Sequence, residues 1–127
     1  MQENQLFEYA VIRVVPKVER EEFLNVGVIL LCSKQKFLRT RIELNEARLL
    51  AVCSEVEIDN LKEYIRSFEL ICEGGPQGGS IGMLSMPERF RWLTSTRSTI
   101  VQTSKVHPGL CSNANEMLER LFTQLVG

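Results

Sequence analysis

The stretch Phe7–Val15 reads FEYAVIRVV, a run rich in β-branched and aromatic residues that is closed by Pro16, and this composition predicts a strand. Alternation places Phe7, Tyr9, Val11, Arg13 and Val15 on one face and Ala10, Ile12 and Val14 on the other. Both faces are mostly apolar, so the strand belongs in the middle of a sheet. Arg13 is the anomaly. A guanidinium on a half-buried strand has to be paired or hydrogen-bonded, because leaving it alone costs several kcal/mol. Its partner is either Glu43 of the same chain or the carboxylate or phosphate of a ligand.

Working outward, Pro16–Glu22 is a charged connection. Phe23–Cys32 (FLNVGVILLC) and Phe37–Leu44 (FLRTRIEL) are two further strands of a meander. Directly opposed residues of an antiparallel pair share a face. Leu24, Val26, Val28 and Leu30 should therefore meet Leu38, Ile42 and Leu44, which requires three or five loop residues after Cys32. With the three-residue loop Ser33–Gln35, Gly27 falls near Arg41, Asn25 near Glu43 and Arg13 beside Asn25. Arg13, Asn25, Gly27, Arg41 and Glu43 then form a polar island on a face otherwise lined by Phe7, Tyr9, Val11, Ile29 and Leu31.

Asn45 is placed to cap a short helix through Cys53. A longer helix opens at Ile58 or Asp59, carries Leu61, Tyr64, Ile65, Phe68, Ile71 and Cys72 at helical spacing, and closes at Gly74 and Gly75. The segment Gly74–Gly82 (GGPQGGSIG) lacks the Gly-Lys-Ser/Thr of a phosphate-binding loop and reads as a flexible loop. Ser85 and Glu88 have capping-box spacing for a helix through Leu93, and Ser98–Val106 is a fourth strand. Asn113 and Glu116 open a last helix whose apolar stripe is Leu118, Leu121, Phe122, Leu125 and Val126. The expected fold is α+β: an antiparallel sheet of about four strands with helices packed mainly on one face.

The length of 127 residues fits a single domain, and 44% hydrophobic with 24% charged residues is ordinary globular composition. No apolar run is long enough to span a membrane, and the start of the chain is polar, which predicts a cytoplasmic protein. Cys32, Cys53, Cys72 and Cys111 have no metal-ligand spacing, so neither a metal nor a cofactor is expected. His107, the single histidine, precedes Cys111 by four residues, but Pro108 and Gly109 between them argue against a catalytic couple.

The formal charge is −1, which argues against nucleic-acid binding. It is unevenly spread, with +3 between Met86 and Cys111 and −4 elsewhere. That segment holds Arg89, Arg91, Arg97, Gln102 and His107 among seven serines and threonines from Thr94 to Ser104. Donors that carry positive charge suit an anionic oxygen. Arg13, Arg41, Arg89, Arg91, Arg97, Gln102 and His107 are therefore the candidate anion-binding residues.

Two blocks, YAVIRVVPKVEREEFLNVGVIL (Tyr9–Leu30) and RFRWLTSTRSTIVQTSKVHPG (Arg89–Gly109), together with the LERLFTQLV ending, resemble the bacterial domain-of-unknown-function family 3037. The likeness covers nearly the whole chain and leaves out Gly74–Gly82. It implies a small bacterial cytoplasmic domain, and an association with genes for HipA-like kinase-fold proteins makes such a kinase a candidate partner. The favoured expectation is a non-enzymatic binding module for an anionic or phosphorylated protein partner. A phosphate-ester hydrolase or transferase, with Glu43 or His107 as proton acceptor, is the alternative. Against it, Asp59 is the chain's one aspartate, and no carboxylate pair is spaced for magnesium. Nucleic-acid binding through Phe90 and Trp92 is a third reading. The two apolar faces of the first strand also leave a homodimer open.

Overall fold

The run that begins at Phe7 is a strand, and it extends beyond its apolar part. β1 spans Gln5–Lys17 in the computed structural model, which describes residues 4–17, 22–95 and 99–126. β2 (Glu22–Cys32) and β3 (Phe37–Ile42) follow it as an antiparallel meander. On its other side β1 pairs with two short strands in tandem, β4 (Val101–Thr103) and β5 (His107–Cys111). The sheet thus has five strands, ordered β3-β2-β1-β4 with β5 also on β1, one more than the sequence predicts.

β5 escapes a sequence reading because HPGLC holds a proline and a glycine. Both are tolerated on an edge, where no ladder donor is needed on the outer side. Gly109 is required there: a Cβ would lie 2.6 Å from Cζ of the Phe7 ring. Between β4 and β5 the backbone steps away from β1, and a side chain fills the gap. The Val11 N–H donates to Ser104 Oγ (2.9 Å), while the Ser104 N–H donates to the Val11 carbonyl (2.8 Å). The amide of Val11 therefore keeps a partner where the ladder is interrupted.

The pairing of β2 with β3 differs from the expected register. Cys32 opposes Phe37, so the connection has four residues, a 3-10 turn at Ser33–Gln35 followed by Lys36 in a left-handed conformation. Gly27 opposes Ile42, and Arg41 opposes Val28. The four-residue turn sets this register without interruption from Cys32/Phe37 to Gly27/Ile42, and the alternation rule fails because β2 is bulged against β1 at Val26, where Ile12 pairs with Gly27 but Arg13 already pairs with Asn25. Beyond the bulge the alternation of β2 changes phase. Leu24 and Val26 pack into one core and Val28, Leu30 and Cys32 into the other, whereas unbroken alternation would keep all of them together.

The remaining chain supplies α1 (Glu46–Val52), α2 (Ile58–Glu73), a single turn α3 (Gly79–Gly82), α4 (Met86–Leu93) and α5 (Ala114–Leu125). Three of them start at the predicted caps, and α2 starts at Ile58 after Glu57, which makes no side-chain cap bond. Asn45 accepts from the Arg48 N–H, Asn113 accepts from the Glu116 N–H, and Ser85 with Glu88 closes a capping box. The helices do not keep to one face. Leu49 of α1, Leu61, Ile65 and Phe68 of α2, and Phe90 and Leu93 of α4 cover Ala10, Ile12, Val14, Ile29 and Leu31. On the opposite face Leu118, Leu121 and Phe122 of α5 cover Phe7, Val28, Leu30 and Cys32. Each such large apolar side chain contributes about 1.5–3 kcal/mol by leaving water.

Gly74–Gly82, read from sequence as a flexible loop, folds into a 3-10 turn at Pro76–Gly78 and then α3, with the Gly75 N–H donating to the Gly82 carbonyl (2.8 Å). Gly82 has no room for a side chain, since a Cβ there would run into the Gly75 carbonyl.

Candidate functional site

α5 packs over β2 and β3, so the β1 side of that face keeps polar groups near the surface. Directly opposed residues share a face, and Arg13 opposes Asn25 on one side and Gln102 on the other. Tyr9, four residues earlier on β1, opposes His107. Three of the candidate anion-binding residues, Arg13, Gln102 and His107, therefore line one strip of sheet, with Asn25 of the predicted island beside them.

Arg13 is the centre of this strip. Its guanidinium carbon lies 4.3 Å from the centroid of the Phe23 ring, a cation–π shelf. Its Nε is buried without a hydrogen-bond acceptor, and among the described residues the Arg13 side chain forms no hydrogen bond or ion pair. The expected alternative partner, Glu43, instead approaches Arg41 at 3.9 Å. Asn25 donates from Nδ2 to the Leu125 carbonyl (3.2 Å) at the end of α5, which fixes its orientation, and its Oδ1 is buried without a donor. Gln102 donates to the Thr99 carbonyl (2.8 Å). The His107 ring packs on Tyr9, with centroids 5.3 Å apart.

The predicted island divides. Arg13 and Asn25 stay together. Gly27 pairs with Ile42, and Arg41 sits over Phe122 (4.3 Å) with its Nε donating to Glu119 (3.3 Å). Arg41 stays on the face of Arg13 and Asn25 but opposes Val28 and is drawn to Phe122 and Glu119 of α5, while Gly27, beyond the bulge at Val26, falls on the other face.

The cationic segment is partly used at home. Arg91 donates to Glu8 at 2.7 Å, and that bond raises its pKa above the ordinary value. Arg89 donates to the Leu84 carbonyl (2.6 Å) and lies against Gly74, with its Nε buried and unpartnered. It fastens α4 to the glycine-rich turns. Arg97 lies outside the described residues.

Burial pushes the Cys72 thiol from 9.0 up to about 12, against the opposing charge of Arg89. The Cys111 thiol is also raised, by burial and then by neighbouring Cys32. Neither thiol is a nucleophile at neutral pH. His107 and Cys111 stand four residues apart on an extended strand, roughly 13 Å, too far to form a couple. Phe23 was not among the candidate residues. Its signal is positional: it precedes Asn25 by two residues in the strand, so alternation puts both on the Arg13 side.

The family model for the proteins of unknown function DUF3037 matches residues 9–126. The chain belongs to that family. The matched span of this DUF3037 protein contains every residue of the Arg13 strip. Comparison with curated proteins and with solved structures gave no match. Among the described residues of the DUF3037 chain, no helix is long and apolar enough to cross a membrane.

Proposed function

We propose that this DUF3037 protein is a non-enzymatic binding module that recognises a phosphate or carboxylate on a protein partner through the sheet strip centred on Arg13. One observation carries the reading: a guanidinium held over Phe23, with a buried Nε and no anion paired to it among the described residues. Such a group is costly to leave alone, and an incoming oxyanion offsets that cost through charge-assisted, bidentate bonds. Gln102 and Asn25 flank it as neutral polar neighbours. Catalysis is less well supported. A general base must stand within hydrogen-bond reach of the reacting group, and His107 lies roughly 13 Å along the strand from Arg13.

The partner is a cytoplasmic bacterial protein in this reading, and the family's association makes a HipA-like kinase-fold protein the first one to try, with a second copy of the chain as the comparison. The test is a titration of 15N-labelled protein with inorganic phosphate and with a phosphoserine peptide. Saturable shifts are expected at the amides of Arg13, Phe23, Asn25 and Gln102. Arg13→Ala weakens both ligands about tenfold or more, and Arg13→Lys does so partially because it keeps charge but loses the fork. Shifts that are absent, or unchanged in Arg13→Ala, would overturn the reading.

A further inference from the structure

A cleft of about 220 Å³ opens where β2, the β3–α1 connection and the end of α5 converge. Leu24, Leu44, Phe122 and Val126 give it an apolar wall. Two opposite charges also line it. The Glu43 carboxylate is 68% exposed and held only loosely, by Arg41 at 3.9 Å. Arg48 forms no ion pair among the described residues. The wall made by the last turn of α5 is electronegative, because a helix ends on carbonyls that its own ladder leaves free. Asn25 satisfies one of these, that of Leu125.

These features define what fits. An anion alone meets Glu43 and the carbonyl end of α5, and a cation alone meets Arg48. A purely apolar molecule desolvates both charges with nothing in return. A small molecule bearing one charge of each sign and an apolar group satisfies all three. We infer that this cleft binds a free α-amino acid with an apolar side chain. Its carboxylate lies on Arg48, its ammonium on Glu43 and the end of α5, and its side chain against Leu24, Leu44 and Phe122. The cleft adjoins the Arg13 strip through Asn25, which lines both, but Arg13 itself does not line it.

The probe is leucine, titrated into the 15N-labelled full chain, with methionine and phenylalanine as further side chains. Saturable shifts are expected at Val26, Leu44, Arg48 and Val126. N-acetylleucine, which lacks the ammonium, and leucinamide, which lacks the carboxylate, bind about tenfold or more weakly. Glu43→Gln and Arg48→Ala each weaken leucine to a similar extent. Both residues are exposed, and an unchanged amide spectrum away from the cleft confirms folding. Arg13→Ala leaves the leucine titration as it was while weakening the phosphate response about tenfold or more, so failure at one site is distinguishable from failure at the other. The inference is overturned if none of the three amino acids gives a saturable shift by about 10 mM, or if either cleft variant keeps full affinity.

Discussion

Arg13 and Arg91 show how differently one residue type behaves in one fold. Arg91 meets Glu8 at the surface with its side chain 57% exposed, and such pairs contribute little. Arg91→Ala should change the unfolding free energy by no more than about 0.5 kcal/mol, measured by urea denaturation. Arg13 keeps a buried, unpartnered Nε. Arg13→Met retains an apolar stem against Phe23 and removes the orphaned donor. It should therefore leave stability equal or raise it by up to about 2 kcal/mol while phosphate binding is lost. A loss of stability would mean that the guanidinium serves the scaffold. Cys72 gives a pH signature. Its thiol titrates near 12 when folded and at 9.0 ordinarily, so its contribution is complete below about pH 9 and fades as pH rises towards 12. Over that window the folded state holds the extra proton, and stability falls by up to about 1.4 kcal/mol per pH unit. Cys72→Val should flatten this slope in denaturation curves taken between pH 8 and pH 11.

At the scale of elements, the interruption between β4 and β5 rests on one hydroxyl. Ser104→Ala strands the buried Val11 N–H and should cost about 1–3 kcal/mol, with faster exchange of the Val11 amide as its local readout. The same junction marks the limit of what the sequence discloses. The meander and its caps at Asn45, Ser85 and Asn113 are legible because each depends on residues a few positions apart. β5 is hidden because His107–Cys111 has no strand character of its own and becomes a strand only by lying along Gln5–Tyr9. The β2–β3 register is hidden for a related reason. Gly27 is the visible sign that alternation fails, yet only the approach of the Arg41 carbonyl, 2.6 Å from where a Cβ would stand, shows where it fails. For the site, Arg13 and its neighbour Asn25 are legible as a polar interruption of an apolar strand. That Arg89 bonds back to the Leu84 carbonyl and Arg91 pairs with Glu8 is not, since the first depends on the irregular turn ahead of α4 and the second joins distant parts of the chain.

The whole molecule is a sheet with a core on each side, and β1 and β2 contribute side chains to both. The two cores therefore cannot melt independently. Leu118, on the α5 side, is 2% exposed, and Leu118→Ala should cost about 2–5 kcal/mol. Trp92, the single tryptophan, belongs to α4 on the other side. Its fluorescence should nevertheless report the same lowered midpoint as circular dichroism. Separate transitions would show that α5 and its core form a detachable layer.

The pairing of β1 with β5 has a further consequence during synthesis. β1 leaves the ribosome well before the strands of its second edge, which are complete only when residues 101–111 have been made. Until then β1 has one edge unsatisfied and the side that α5 covers bare, a state prone to wrong pairing between nascent chains. Emergence of β4, β5 and α5, rather than of the β1–β2 hairpin, is the step at which a chaperone could let go.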